Sequence, residues 1–132
     1  MTVPREIVVV DASVLVEMLA RTPLAVSSRA RLRRTEPHAP AHLDIEVLSA
    51  LGRLNRAGAL PMAEVEQSIT LLTTMPVQRH SLVDLVADAW AQRGQLRLTD
   101  ACYVALAARL GVPLLTTDHR LARACPLAET IA

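Results

Sequence analysis

The sequence predicts an α/β fold with a mainly parallel central sheet of four to five strands flanked by helices. Residues 7–10 (IVVV) form an unbroken β-branched run, which is typical of a central strand covered on both faces. Leu114 and Leu115 form a second short apolar run directly after a helical segment. Between these two runs most apolar residues recur at helical spacing, and strands that alternate with helices indicate a parallel sheet.

The first half of the chain divides into four further segments. Residues 14–20 are predicted to form a short helix, and residues 24–34 an Arg-rich helix that begins after Thr22 and Pro23. Residues 37–40 (PHAP) are interpreted as a break. Residues 41–56 predict a helix whose apolar side carries Leu43, Val47, Leu48, Leu51 and Leu54.

The second half repeats the alternation of helices and strands. Helices are predicted at residues 62–73, at residues 82–92 with Ser81 as cap, and at residues 98–110 with Thr99 as cap and Gly111 as C-terminal stop. Residues 77–80 predict a brief strand. A strand through residues 114–115 ends at residues 116–118, a last helical turn follows at residues 120–124, and Ile131 is expected to start an edge strand.

The length and composition indicate one globular domain spanning residues 1–132. Hydrophobic residues make up 52% of the 132 residues, which excludes a disordered chain. No apolar run approaches the roughly 18 residues of a membrane helix. Glu6 and Asp11 interrupt the apolar start, so no signal peptide is expected and the chain is predicted to be cytoplasmic.

All 14 basic residues are arginine, and the net charge is +1. A GC-rich coding bias explains the missing lysine. The absence of lysine still excludes Walker-type phosphate loops, Schiff bases and phosphotransfer sites that depend on this residue. The two cysteines match neither a disulfide framework nor a zinc pattern.

Four of the acidic residues occupy positions that suit a shared site: Asp11 and Asp118 follow strands, Asp100 opens a buried helix, and Glu46 borders an apolar helical stripe. Crowded carboxylates repel one another unless cations neutralise them. With no lysine available, hard divalent ions such as Mg²⁺ or Mn²⁺ suit these oxygen ligands. Such a site can activate water for attack on a phosphodiester.

The segments that carry these acids resemble those of PIN-domain ribonucleases and, more narrowly, of VapC toxins from bacterial type II toxin–antitoxin (VapBC) pairs. The resemblance covers nearly the whole chain. It rests on VVVDAS at residue 8, DIEVLSAL at residue 44, LTDACYVALA at residue 98 and LLTTDHRLA at residue 114.

The resemblance implies a PIN-like fold and a metal-dependent endoribonuclease acting on structured RNA such as tRNA or rRNA. The catalytic and metal-binding residues would be Asp11, Glu46, Asp100 and Asp118. Ser13 would orient a water or the first acid, and Thr116 would hold Asp118. The implied partners are RNA, a second copy of the chain, and a VapB antitoxin whose C-terminal tail covers the site.

Two positions depart from the family pattern. Thr99 stands where many relatives carry an aromatic residue, and little effect is expected. His119 and Arg120 stand where some relatives carry a further acid or amide, which leaves open whether the protein holds one metal ion or two.

Other clusters have simpler interpretations. His38 and His42 have i,i+4 spacing that could suit zinc, but Pro40 lies between them and they are interpreted as surface or capping residues. His119 is expected to be exposed. The basic cluster Arg29, Arg31, Arg33 and Arg34 fits a solvated helix face and an RNA-backbone contact equally well.

Rival functions remain at this stage. A catalytically silent PIN-fold binding module, active only within a toxin–antitoxin complex, is the main alternative. A DNA-cutting nuclease with the same acids is another. An aspartyl-phosphate phosphotransferase is disfavoured because Ser13 replaces a second aspartate and lysine is absent.

Overall fold

The computed structural model describes residues 4–132. The predicted domain and the expectation of no signal peptide also involve residues 1–3, which lie outside the described residues. The sheet has five strands, all parallel, in the order β3-β2-β1-β4-β5. The strands are β1 (Glu6–Val10), β2 (Thr35–Pro40), β3 (Gln78–His80), β4 (Leu114–Thr116) and β5 (Ala128–Thr130). The predicted α/β, PIN-like fold class is confirmed.

Within the described part of the chain, seven helices and one 3₁₀ turn, Leu82–Asp84, connect the strands. The helices are α1 (Ala12–Leu19), α2 (Ala25–Leu32), α3 (Leu43–Arg56), α4 (Met62–Thr74), α5 (Val86–Ala91), α6 (Leu98–Leu110) and α7 (His119–Ala124). The chain moves outward from β1 to β3, then crosses to β4 and moves outward the other way. Right-handed crossovers therefore put α1–α4 and α5–α7 on opposite faces. No helix in residues 4–132 is long and apolar enough to cross a membrane.

The core is aliphatic and centred on the middle strands. Val8, Val9 and Val10 of β1 are fully buried, as are Leu114 and Leu115 of β4. Both strands therefore have covered faces, as their β-branched and aliphatic sequences predict.

The sheet has a topological switch point between β1 and β4, because the connections leave these strands in opposite directions. Val10 pairs with Leu115, and the Asp11 N–H donates to the Leu115 carbonyl at 3.1 Å. The carboxyl ends of β1 and β4 thus lie side by side, where open α/β sheets form ligand-binding crevices.

The predicted break at residues 37–40 is wrong, because these residues lie within strand β2. At each proline, β2 pairs with only one of its two neighbouring strands. β2 pairs with β1 only as far as His38, and with β3 only from His38 onward. Pro37 and Pro40 can therefore lack an N–H without removing a ladder hydrogen bond.

Three helix details also differ from expectation. The predicted helix at residues 82–92 divides at buried Leu85 into the 3₁₀ turn and α5, and the Ser81 side chain makes no capping bond. Helix α6 begins before Thr99, because the Arg97 carbonyl accepts the Ala101 N–H and makes Arg97 the N-cap residue. Leu48 is 43% exposed, since it lies on the side of α3 that turns away from the sheet.

The predicted C-terminal stop of α6 is confirmed. Gly111 has a φ of 67° and its N–H donates to the Ala107 carbonyl at 2.8 Å. A residue with a Cβ rarely adopts this left-handed conformation, so glycine ends the helix at low cost.

Candidate active site

Asp11 lies at the bottom of the crevice between β1 and β4 and is only 6% exposed. It is the N-cap of α1 and accepts the Val14 N–H at 3.4 Å. The hydroxyls of Ser13 and Thr116 each donate to one of its carboxylate oxygens at 2.5 Å. Both oxygens are therefore fixed in direction by side chains from two different segments.

The pKa of the Asp11 carboxyl is raised to about 6. Burial is the main cause, because it removes water that would stabilise the charged form. The hydrogen bonds from Ser13, Thr116 and Val14 oppose the rise, and the negative charge of Asp100 adds to it. The crevice thus holds a carboxylate that lacks compensating positive charge.

Ser13 and Thr116 also join the ends of the two strands. The Ser13 hydroxyl accepts the Thr117 N–H, and the Thr116 hydroxyl accepts the Asp118 N–H, both at 3.0 Å. Thr116 therefore contacts Asp118 through its backbone rather than through its carboxylate. The same hydroxyl holds Asp11, a contact that the sequence reasoning did not predict.

Glu46 on α3 is held by two aromatic side chains. The Tyr103 hydroxyl donates to Glu46 Oε1 at 2.6 Å. His42 Nε2 lies 3.4 Å from the same oxygen and 2.9 Å from the Thr99 carbonyl oxygen. Burial and the Glu46 carboxylate raise the pKa of Tyr103, so its hydroxyl remains a donor.

Tyr103 was predicted only as a core residue and His42 as a surface or capping residue. The one available signal for Tyr103 is its position three residues after Asp100, on the same side of α6. His42 lies four residues before Glu46 at the start of α3, so the i,i+4 spacing of this pair was an available signal. The contact of His42 with the Thr99 carbonyl, in contrast, depends on how α3 meets α6.

Asp100 lies at a helix start, as expected, and Asp118 follows β4, as expected, but also caps α7. Asp100 lies in the first turn of α6, and Arg97 Nε lies 3.2 Å from its Oδ2. Asp118 is the N-cap of α7, where its Oδ1 accepts the N–H of Arg120 at 2.9 Å and of Leu121 at 3.4 Å.

All four predicted acids line one cavity of about 310 Å³. Its wall also contains Arg53, Arg97 and a fifth acid, Glu17, which the sequence reasoning missed. Glu17 lies on α1, and its Oε2 accepts the Leu24 N–H at 3.3 Å. A second cavity of about 190 Å³ shares Arg97, Asp100 and Asp118 with the first.

The chemistry of this cavity fits a hard divalent cation. Its acids offer carboxylate oxygens, and one of them is buried with a raised pKa. Within residues 4–132 no group of three or more His, Cys, Asp or Glu side chains lies close enough together to hold a metal ion as arranged here. A cation in the cavity would therefore have to keep part of its water, as Mg²⁺ commonly does.

The two histidines considered for zinc are partly buried rather than on the surface, with side chains 13% and 10% exposed. His38 Nδ1 lies 2.8 Å from His80 Nε2, and its Nε2 lies 2.9 Å from Glu36 Oε2. His42 is the N-cap residue of α3 and contacts Glu46 and the Thr99 carbonyl instead. His119 is exposed, as predicted.

The basic cluster at residues 29–34 is partly occupied by contacts within the protein. Arg31 forms ion pairs with Glu6 and Glu129, at 2.8 and 2.5 Å. Arg29 donates to the Met18 carbonyl at 3.2 Å. Arg31 therefore serves to tie α2 to β1 and β5.

The sheet order and the acidic crevice define an α/β domain of the PIN class, and comparisons with known proteins agree. A family model described as PIN domain matches residues 8–126. The chain is 59% identical to Ribonuclease VapC3 of Mycobacterium tuberculosis over 131 residues, which cover 98% of this chain and 96% of that protein. The chain belongs to the PIN-domain family and, within it, to the VapC ribonuclease toxins.

Solved structures share the fold at lower identity. PAE2754 from Pyrobaculum aerophilum superposes with a TM-score of 0.71 at 24% identity, covering 97% of this chain and 85% of that one. A toxin–antitoxin complex from Klebsiella pneumoniae superposes with a TM-score of 0.67 at 13% identity, covering 95% of this chain and 98% of that one.

Proposed function

We propose that this chain is a metal-dependent endoribonuclease that hydrolyses phosphodiester bonds in structured RNA, such as tRNA or rRNA, as the toxin of a VapBC pair. The observation that carries the proposal is the single cavity that brings together Asp11, Glu46, Asp100 and Asp118. The ribonuclease name of a relative with 59% identity supports RNA as the substrate.

The proposed cofactor is Mg²⁺ or Mn²⁺, held by the carboxylates of Asp11, Glu46, Asp100 and Asp118. When bound, such an ion supplies an activated water and neutralises charge during in-line attack on phosphorus. The acids position the ion and form no covalent bond with the substrate.

The neighbouring side chains fix the direction in which these acids point. Ser13 and Thr116 each hold one oxygen of Asp11. Oδ1 also accepts the Val14 N–H, so Oδ2 is the oxygen with a lone pair left for a cation. Tyr103 and His42 hold Glu46. Supporting hydrogen bonds of this kind commonly set the geometry and affinity of carboxylate metal sites.

The proposed partners are a VapB-type antitoxin and a second copy of the chain. An arginine from an antitoxin tail can place its planar guanidinium on the acidic cavity, as Arg97 already does with Asp100. The chain is also proposed to act in the cytoplasm as a single PIN domain. A monomeric mass of the purified chain at micromolar concentration would contradict the homodimer.

The direct test measures RNA cleavage by the purified chain in Mg²⁺ or Mn²⁺. Asp11→Asn and Asp100→Asn are expected to lower the cleavage rate at least 100-fold, because each removes a carboxylate from the cation site. Asp88→Asn is the matched control, since Asp88 is exposed on α5 and lies outside the cavity.

Excess chelator is expected to stop cleavage by the unaltered chain, and added Mn²⁺ to restore it. Circular dichroism would verify that both cavity variants keep the fold. Undiminished cleavage in chelator, or full activity in either cavity variant, would show that the proposed chemistry is wrong.

A further inference from the structure

The two cavities at the carboxyl edge of the sheet join into one trough, because Arg97, Asp100 and Asp118 line both of them. Arg53 of α3 lines only the first cavity, and Arg120 of α7 lines only the second. Asp100, Asp118 and Arg97 therefore lie where the two cavities meet, with Arg53 in the cavity on one side and Arg120 in the cavity on the other. This alternation of charge is a property of the assembled fold, since its parts come from distant segments.

Both end arginines are available to a ligand. Arg53 and Arg120 are exposed, and within residues 4–132 neither guanidinium takes part in a hydrogen bond or ion pair. Arg31 and Arg79 differ, because each places its guanidinium on a carboxylate of the protein. The free cations at the trough are thus not needed to hold its walls together.

We propose that the trough binds one strand of RNA by its backbone, with Arg53 and Arg120 contacting phosphates on opposite sides of the phosphate to be cut. This inference rests on the proposed ribonuclease function and adds the path of the substrate across the site. The planar guanidinium of arginine forms paired hydrogen bonds with phosphate oxygens, which suits this role. The acidic middle, in turn, matches the cation that neutralises the central phosphate.

Contacts with the backbone, rather than with bases, follow from the lining of the trough. Among residues 4–132, Tyr103 is the one aromatic residue that lines it, and that ring is buried. Trp90, the other large aromatic, lies outside both cavities. Stacking on aromatic rings is a main way for proteins to hold single-stranded bases, so this trough must rely on phosphates.

The test compares two pairs of variants on the same helices. Arg53→Ala has Arg56→Ala as its control on α3, and Arg120→Ala has Arg123→Ala as its control on α7. Both controls remove an exposed positive charge one turn away, outside the two cavities. Arg97 is left unaltered, because its removal would also release Asp100.

Binding is measured by fluorescence anisotropy, in Mg²⁺ and at several salt concentrations. The probe is a labelled single-stranded oligoribonucleotide that the unaltered chain cuts, and every variant also carries Asp11→Asn to prevent cleavage. Arg53→Ala and Arg120→Ala are each expected to weaken binding about 3- to 10-fold at ~0.1 M salt. Each should lower the slope of log affinity against log salt by about 0.7, the value for one lost phosphate contact on a single strand.

Substrates shortened on one side of the cut distinguish the two ends. An RNA that lacks the nucleotides on one side is expected to lose its sensitivity to one of the two substitutions and to keep its sensitivity to the other. Thermal unfolding checks that all variants fold, and Arg53→Gln and Arg120→Gln replace any alanine variant that does not.

Equal weakening by all four substitutions would overturn the inference, because it would reflect net charge alone. No weakening, or weakening by only one of Arg53→Ala and Arg120→Ala, would overturn it too. If the unaltered chain cuts RNA but the variants give one of these results, the proposed ribonuclease function is kept and only the proposed RNA path along the trough is wrong. Failure of the unaltered chain to cut any RNA would instead overturn the proposed function.

Discussion

At the scale of single residues, Asp11 places a charge where the fold least favours it. Its carboxylate is buried at the end of β1, and the hydroxyls of Ser13 and Thr116 compensate only in part for the lost water, since its pKa still rises to about 6. A side chain that lowers the stability of the folded chain is typical of a functional site, where activity requires that residue.

Replacement of Asp11 by asparagine should therefore stabilise the chain at neutral pH. The carboxyl has a pKa of about 6 in the folded chain and its ordinary value of 3.8 in the unfolded chain. The folded state thus holds its proton to higher pH, so the free energy of unfolding falls as pH rises between these values and is constant above them. At about 1.4 kcal/mol per pH unit, the upper limit of the effect is about 3 kcal/mol.

The measurement is urea unfolding of both chains in chelator from pH 3.5 to 8. Asp11→Asn is expected to be more stable above pH 6 and equal to the unaltered chain near the low end of this range. Asp88→Asn, at an exposed position, provides the control. A stability difference that does not change with pH would contradict the argument.

At the scale of elements, the site depends on a bond between two helices. Tyr103 of α6 donates to Glu46 of α3, and the rings of His42 and Tyr103 lie 4.8 Å apart between centroids. Because α3 and α6 are separated by much of the chain, this contact sets how far Glu46 reaches into the cavity.

Tyr103→Phe should weaken the cation site while the fold persists. The change removes the hydroxyl that orients Glu46 and keeps the ring in the core, so a stability loss of about 1 kcal/mol is expected. The Mn²⁺ concentration for half-maximal RNA cleavage should rise about 10-fold.

Val104→Ala on the same helix is the control for this prediction. It removes buried apolar volume next to Tyr103 and should lower the melting temperature without changing the Mn²⁺ requirement. An unchanged Mn²⁺ requirement in Tyr103→Phe would show that Glu46 keeps its position without the hydroxyl.

Elements were predictable where local pattern and tertiary environment agree. The β-branched run of β1 and the glycine stop of α6 follow from the sequence alone. β2 did not, because a strand that contains Pro37 and Pro40 looks like a break unless the extents of its neighbours are known. Likewise Thr99 has the chemistry of a helix cap, yet the first turn of α6 closes on Arg97.

At the scale of the whole molecule, the reversal of strand order between β1 and β4 creates the acidic cavity. It brings Asp11 and Asp118 to one edge, and α3 and α6 add Glu46 and Asp100 to the same space. The buried Asp11 carboxylate, which no arginine of the described residues pairs with, destabilises the folded chain, and a bound cation should reverse that effect.

Divalent cations should therefore raise the melting temperature of the unaltered chain. A ligand that binds only the folded state adds about 2.7 kcal/mol at 100 times its Kd, which corresponds to several degrees for a domain of this size. Asp118→Asn is expected to reduce the rise caused by Mn²⁺. Asp88→Asn should keep it in full, and an equal rise in both variants would place cation binding outside the cavity.

The sequence by itself determined the α/β class, most of the helices and strands, and four acids placed at strand ends, at a helix start and beside an apolar helical stripe. These features depend on local periodicity and on residue type, which any stretch of chain carries with it. Only the tertiary structure decided that Thr116 would hold Asp11, that Tyr103 would hold Glu46, and that Glu17 and three arginines would share the crevice. Those contacts join residues from distant segments of the chain, so they exist only once the sheet order brings the carboxyl ends of the strands and the starts of α3 and α6 to one edge.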